Sequence, residues 1–240
     1  MQFIDSHIHL QDYKEKNVQQ IIKKMQTQSF KKIICVSSHP SDWDSIAEIT
    51  NNNPDFIIPA FGIHPWYIDE VSEDWQNLLS NYLNNFPYAL IGECGLDNLK
   101  AYDKELQENI FIKQIKIAEK YNRPLCVHSL KADNQLEKLL PQISVKFMVH
   151  AFNGSVEFLQ KILKSGGYIS ISDAICKKKN HVDIIKQIPE NKLLSESDGP
   201  YMSDFEKINA FITYIAKIKN IDKIALTKQI YHNFKEFCRV

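Results

Sequence analysis

The 240-residue sequence is poor in chain breakers, with 7 glycines and 9 prolines, and no Gly/Ser/Pro-rich linker, low-complexity tract or internal repeat divides it. That scarcity, with 44% hydrophobic and 24% charged residues, excludes a collagen-like or disordered chain. A single domain over residues 1–240 is expected. Charge of one sign is also lacking in excess, since 29 Lys plus Arg balance 29 Asp plus Glu. No overall basic field is available to collect nucleic acid by counterion release, so any such contact has to be local. The cysteines, Cys35, Cys94, Cys126, Cys176 and Cys238, are few and form no Cys-x-x-Cys pair. Their odd number and their spacing argue against a disulfide framework and against a cysteine zinc cluster. No stretch of 18 uninterrupted apolar residues occurs, and MQFIDSHIHL lacks a basic region followed by an apolar run. The expectation is a cytoplasmic protein with no membrane association and no obligate protein partner.

What the sequence does have is short β-branched runs at regular intervals: Phe3–Ile8, Lys32–Ser37, Phe56–Ile63, Tyr88–Glu93, Pro124–Ser129, Val145–Phe152, Tyr168–Ser172 and Lys192–Asp198. Between them apolar residues recur at helical spacing, as in Val18, Ile21, Ile22 and Met25, or Ile110, Phe111, Ile115 and Ala118. Alternating strands and helices need crossover connections and hence a parallel sheet, and eight such units are the number that closes a TIM-type (β/α)8 barrel. A distorted barrel or an open doubly wound sheet is the alternative. Beyond Asp198 the pattern changes to two helical stretches, about Asp204–Lys219 and Asp222–Phe237, which are expected to cover the last seam.

The first strand carries His7 and His9, and side chains alternate along a strand, so both imidazoles project from one face. Other strands end in groups that an apolar core does not ordinarily accept: Gly62-Ile63-His64-Pro65, Gly92-Glu93-Cys94-Gly95-Leu96-Asp97, Val127-His128-Ser129, His150-Ala151-Phe152-Asn153 and Glu196-Ser197-Asp198-Gly199. In a parallel barrel these ends meet on one rim. His7, His9, Glu93, His128, His150 and Asp198 then form a nitrogen and oxygen donor set typical of Zn²⁺ and open to Mn²⁺ or Mg²⁺. Six ligands suffice for two divalent ions sharing a bridging carboxylate, an arrangement that clamps the attacking and leaving oxygens of a displacement.

In order and spacing FIDSHIHL, GIHPW, IGECGLD, VHS, HAFNGS and SESDGPY resemble the motifs of TatD-related metal-dependent deoxyribonucleases, over roughly residues 3–201. The resemblance implies a barrel with one or two divalent metals and, for several family members, hydrolysis of phosphodiester bonds in DNA, often from the 3′ end. It implies that His7, His9 and Asp198 hold one ion, that His128 and His150 hold the other, and that Glu93 bridges them. A carbamylated lysine is not needed. The expected activity is therefore a metal-dependent 3′–5′ exonuclease acting on DNA or another phosphodiester through a metal-activated water. Asp198, Glu93 and His64 are the expected catalytic residues. Two departures concern the substrate: Leu130 and Lys131 stand where the family usually has an arginine, and the segment after Pro200 is short. The alternative expectation is a hydrolase of a small amide, lactone or phosphate ester.

Further candidates lie on or near the same rim. His64 is read as a contact to a substrate phosphate or to developing charge, and Asp5 and Asp97 as groups that orient ligands. Lys177-Lys178-Lys179 and Lys131 are weighed as phosphate contacts against solvated loops, and Trp66 and Tyr67 as a stacking surface for an unpaired base against ordinary packing. His39, His181 and His232 are read as structural, and Cys94 as core.

Overall fold

In the computed structural model, which describes residues 1–13, 17–99 and 103–240, the β-branched runs form eight strands. They are β1 Phe3–Ile8, β2 Phe30–Val36, β3 Ile57–Phe61, β4 Leu90–Asp97, β5 Leu125–Leu130, β6 Phe147–Val149, β7 Tyr168–Ile171 and β8 Leu193–Ser195. Neighbours pair in parallel and in chain order from β1 to β8. The helices that carry the chain back are α1 Val18–Thr27, α2 Trp43–Asn51, α3 Trp75–Asn85, α4 Lys104–Tyr121, α5 Asp133–Leu139, α6 Val156–Lys164 and α7 His181–Gln187. Their apolar faces turn inward as the spacing requires, with Ile21, Ile22 and Met25 buried on α1 and Ile110, Phe111, Ile115 and Ala118 on α4. The result is a nearly closed TIM (β/α)8 barrel.

The seam between β8 and β1 is closed by backbone just beyond β8. Asp198 N–H donates to His7 O at 2.9 Å and His9 N–H to Gly199 O at 2.8 Å, and Ile8 bridges Gly199. The last helices, α8 Ile208–Lys219 and α9 Lys223–Cys238, follow. As expected, α9 lies across β8 and β1. Its buried Asn233 donates to Glu190 O at 2.6 Å and Leu193 O at 2.8 Å. No helix among the described residues is long and apolar enough to cross a membrane.

Strand boundaries differ most from expectation at β4, which starts later than Tyr88 and runs on to Asp97. Tyr88 is exposed, in a turn closed by Ala89 N–H donating to Phe86 O at 2.9 Å. Beyond Glu93 the strand continues because Gly95 takes φ +138° and brings its backbone against β5, where a Cβ would meet His128 O at 2.1 Å. β6 and β8 are shorter than expected, so His150 and Asp198 lie just past strand ends, on the loops.

Candidate metal centre

All six expected ligands converge at the carboxyl ends of the strands. His7 and His9 bring their Nε2 atoms to 3.1 Å from each other. Glu93 Oε2 lies 3.3 Å from His7 Nε2 and 3.4 Å from His9 Nε2, and Asp198 Oδ1 lies 3.7 and 3.4 Å from the same two atoms. The other oxygen of Glu93 faces a second group: Oε1 is 2.8 Å from His128 Nδ1 and 2.7 Å from His150 Nε2, themselves 3.2 Å apart. Bonds of about 2.0–2.1 Å in a tetrahedron put neighbouring ligand atoms about 3.3 Å apart, so the separations around His7, His9 and Asp198 fit a coordinated divalent cation. The donors are imidazoles and carboxylates without thiolate, a chemistry that suits Zn²⁺, Mn²⁺ or Mg²⁺.

Buried groups behind the ligands hold them in place. The Asp5 carboxylate accepts from Ser197 Oγ at 2.6 Å, Ser197 N at 3.0 Å and His7 N at 3.2 Å, tying the strand of His7 and His9 to the loop of Asp198. Asp198 itself sits at φ +53°, a left-handed conformation that a non-glycine residue keeps only when its surroundings enforce it. The backbone N–H of Glu93 donates to Ser37 O at 2.8 Å. Two glutamines on the buried face of α4 fix neighbouring loops. Gln114 exchanges hydrogen bonds with both backbone groups of Ile63, and Gln107 does the same with Asp97.

Asp97 Oδ2 lies 3.2 Å from His128 Nε2 and accepts from Trp66 Nε1 at 2.7 Å. A carboxylate can only accept, so His128 directs an Nε2 proton at Asp97, which leaves Nδ1, 2.8 Å from Glu93 Oε1, as the nitrogen that can give up its proton and ligate an ion. His64 is arranged the other way round. Its Nδ1 accepts from the backbone N–H of Trp66 at 3.1 Å, so the proton of the neutral ring lies on Nε2, 3.4 Å from Glu93 Oε1. Although His64, Glu93 and His128 are close enough to hold a cation together, a protonated nitrogen cannot ligate. His64 therefore faces the centre as a hydrogen-bond donor.

The electrostatics follow from burial and from the density of carboxylates. Burial, helped by charge on His128, His150 and His9 and opposed by Glu93, drives His64 down to about 3, and burial with the charge of His150 drives His7 down to about 4. Burial also opposes charge on His9 and His128, but hydrogen bonds to Asp198 and Glu93 in one case, and to Asp97 and Glu93 in the other, hold them near 10 and 9. Burial would raise Asp198, yet His9 and its neighbours hold it at about 2, and Glu93 is pulled well below the usual range by the surrounding histidines. The carboxylates thus draw positive charge into a site that contains no Lys or Arg side chain among its lining residues.

One participant was not singled out from the sequence. Glu196 is fully buried beneath the centre, accepts from Ala151 N at 2.5 Å, and lies 4.0 Å from His150 Nδ1. The His150 and His7 rings stack at 3.8 Å, and one nitrogen of each falls within 4.8 Å of a Glu196 oxygen. Its signal was its place in the strand-end segment Glu196-Ser197-Asp198, among polar groups that an apolar core does not ordinarily accept.

The remaining candidates separate cleanly. His39 caps a turn, its Nδ1 accepting from Ser41 N at 3.1 Å; His181 and His232 lie on α7 and α9, and Cys94 is fully buried. Lys178 donates to Asn153 O at 2.5 Å and Gly154 O at 2.6 Å, so it braces a loop. Above the ligands opens a cavity of about 270 Å³, walled by Trp66, Tyr67, Leu130, Tyr201 and Met202.

A barrel with a carboxylate facing two groups of histidines on the catalytic rim defines the class of metal-dependent hydrolases. The family described as TatD related DNase matches residues 4–239, and the chain belongs to it. An uncharacterized metal-dependent hydrolase of Methanocaldococcus jannaschii is 28% identical, covering 99% of this chain and 97% of the relative. The human deoxyribonuclease TATDN3 is 26% identical, covering 91% and 88%. Among solved structures, the TatD homolog YJJV of Escherichia coli superimposes with a TM-score of 0.92 at 21% identity, covering 99% of this chain and 98% of that one. The protein is a metal-dependent hydrolase of the TatD family.

Proposed function

We propose that the protein is a deoxyribonuclease of the 3′–5′ exonuclease type, using a binuclear centre. The observation that carries this reading is the divided carboxylate of Glu93, with Oε2 beside His7 and His9 and Oε1 beside His128 and His150. His7, His9 and Asp198 would hold one ion, His128 and His150 the other, and Glu93 both. Bound ions supply Lewis acidity, which activates a water as nucleophile and offsets charge on the attacked group. The deoxyribonuclease name of the human relative supports the choice of substrate.

The chain's own residues account for the rest of the chemistry. Asp198 lines the cavity and stays ionised at any pH near neutrality, so it can orient a water and accept its proton. His64, kept neutral by burial and with its proton on Nε2, donates to a phosphoryl oxygen as negative charge grows there. Trp66 and Tyr67 on one wall and Tyr201 on the other offer faces on which an unpaired base stacks. A second reading, a hydrolase of a small amide, lactone or phosphate ester, is favoured by the small cavity and by the absence of Lys and Arg from its lining.

The test is hydrolysis of a 3′-labelled single-stranded DNA after chelation and re-addition of Mg²⁺, Mn²⁺ or Zn²⁺. Stepwise shortening by the wild type and its loss in Glu93→Ala are expected. Failure with every metal, while small esters or amides are turned over, would replace the nuclease reading by the second one.

A further inference from the structure

The metal cavity does not end at its own walls. On the side of β6 and β7 it shares Ala151, Asn153 and Met202 with an adjoining cavity of about 200 Å³ that reaches Lys177 and Lys178. Among the described residues these are the only Lys or Arg side chains lining either space, and none of the described carboxylates lines the second one. Asp173, next to it in sequence, is engaged by Lys207 at 3.4 Å. The two lysines are not equivalent. Lys178 is clamped by the carbonyls of Asn153 and Gly154, so its charge is fixed in the wall. The Lys177 side chain makes no hydrogen bond or ion pair with the described residues and is exposed at the mouth.

We infer that this second cavity is an anion subsite that takes the phosphate next to the scissile one, with Lys177 as its mobile counter-charge and Lys178 as its fixed floor. The inference rests on the nuclease reading. A substrate with one phosphate satisfies its charge at the metal centre. A strand carries further phosphates, and among the described lining residues the only Lys side chains that meet them lie in this direction. The chain therefore leaves the centre across Ala151 and Asn153, with its bases toward the aromatic wall of Trp66 and Tyr67. A net-neutral protein can hold an oligonucleotide in this way, by a local pair of charges rather than a global field.

The experiment compares wild type, K177A and K177E, all metal-loaded, on a 12-nucleotide single strand and on bis(4-nitrophenyl) phosphate, which has one phosphodiester. The ratio of kcat/KM for the strand to kcat/KM for the ester is expected to fall several-fold in K177A and about tenfold or more in K177E, carried by KM. Loss of one phosphate contact to a single strand should also lower the slope of log KM against log salt by about 0.7. An unchanged ratio and slope in K177E, with the wild type still degrading the strand, would overturn the subsite and leave the nuclease standing. A wild type that turns over the ester but degrades no strand would remove the nuclease reading and the subsite with it.

Discussion

Replacing Asp97 by Asn changes almost no volume, yet it removes an acceptor on which three donors converge. Leu99 N–H reaches Oδ1 at 2.7 Å, and Trp66 Nε1 and His128 Nε2 reach Oδ2 at 2.7 and 3.2 Å. An amide has one accepting oxygen, so one side must present NH₂ to an N–H. If it faces Leu99, the backbone donor is left unsatisfied, at about 1–3 kcal/mol. If it faces His128, the ring must accept there and move its proton to Nδ1, the atom 2.8 Å from Glu93 Oε1. That atom then cannot ligate. In both orientations the carboxylate no longer raises the basicity of His128. Losing the group that orients a ligating histidine weakens metal binding about 10–100-fold, or about 1.4–2.8 kcal/mol at 1.4 kcal/mol per tenfold. Calorimetric titration of chelated protein should show that loss in the site of His128 and His150, while the site of His7, His9 and Asp198 retains its affinity. Wild-type affinity at both sites in a folded Asp97→Asn protein would refute the assignment of Asp97 as the group that sets the His128 tautomer.

Protonation makes a second prediction. With His9 held near 10 and His128 near 9, both carry protons at pH 7 in the metal-free protein, and a ligand must be deprotonated. Metal binding at pH 7 should therefore release protons, and affinity should rise with pH until about 9–10. Binding heats that do not depend on the ionisation enthalpy of the buffer would contradict this. Gly95→Ala is expected to cost at least about 1–3 kcal/mol from φ +138°, with the contact of its Cβ on His128 O added. At about 2–4 °C per kcal/mol for a chain of this size, a melting curve should show a loss of several degrees, and an unchanged melting temperature would mean that β4 and β5 lie further apart. Asn233→Ala strips the buried Leu193 carbonyl and the carbonyl of exposed Glu190 of their donor, for about 1–3 kcal/mol. It should lower the melting temperature while leaving metal affinity as it is, because α9 touches the barrel's seam and not its rim.

The convergence of the six candidate ligands was legible because each interrupts an apolar strand pattern with a group that burial would otherwise penalise. His7 and His9 could be assigned to one face from the alternation of a strand alone, and their Nε2 atoms do meet. Strand ends were less legible. Gly95 lay beyond the expected strand Tyr88–Glu93, whereas this glycine is what lets β4 approach β5 and continue to Asp97. Hydrogen-bond direction was not legible at all: which ring nitrogen faces the centre, Nε2 in His64 and Nδ1 in His128, depends on which one meets Trp66 N–H and which meets Asp97. The run Lys177-Lys178-Lys179 likewise looked uniform, and only the fold separates a brace from an exposed charge. Glu196 was named only within its strand-end segment, because a lone glutamate there resembles a surface residue until the barrel closes over it.

The central claim is that one carboxylate joins two metal sites. Metal content after chelation, reconstitution with Zn²⁺ or Mn²⁺ and removal of excess ion, measured by inductively coupled plasma spectrometry for wild type, Glu93→Ala and His128→Ala, tests it directly. The account predicts about two ions per wild-type chain, about one in His128→Ala, and fewer than one in Glu93→Ala with circular dichroism unchanged. Equal metal content in all three proteins, or none in the folded wild type, would contradict it.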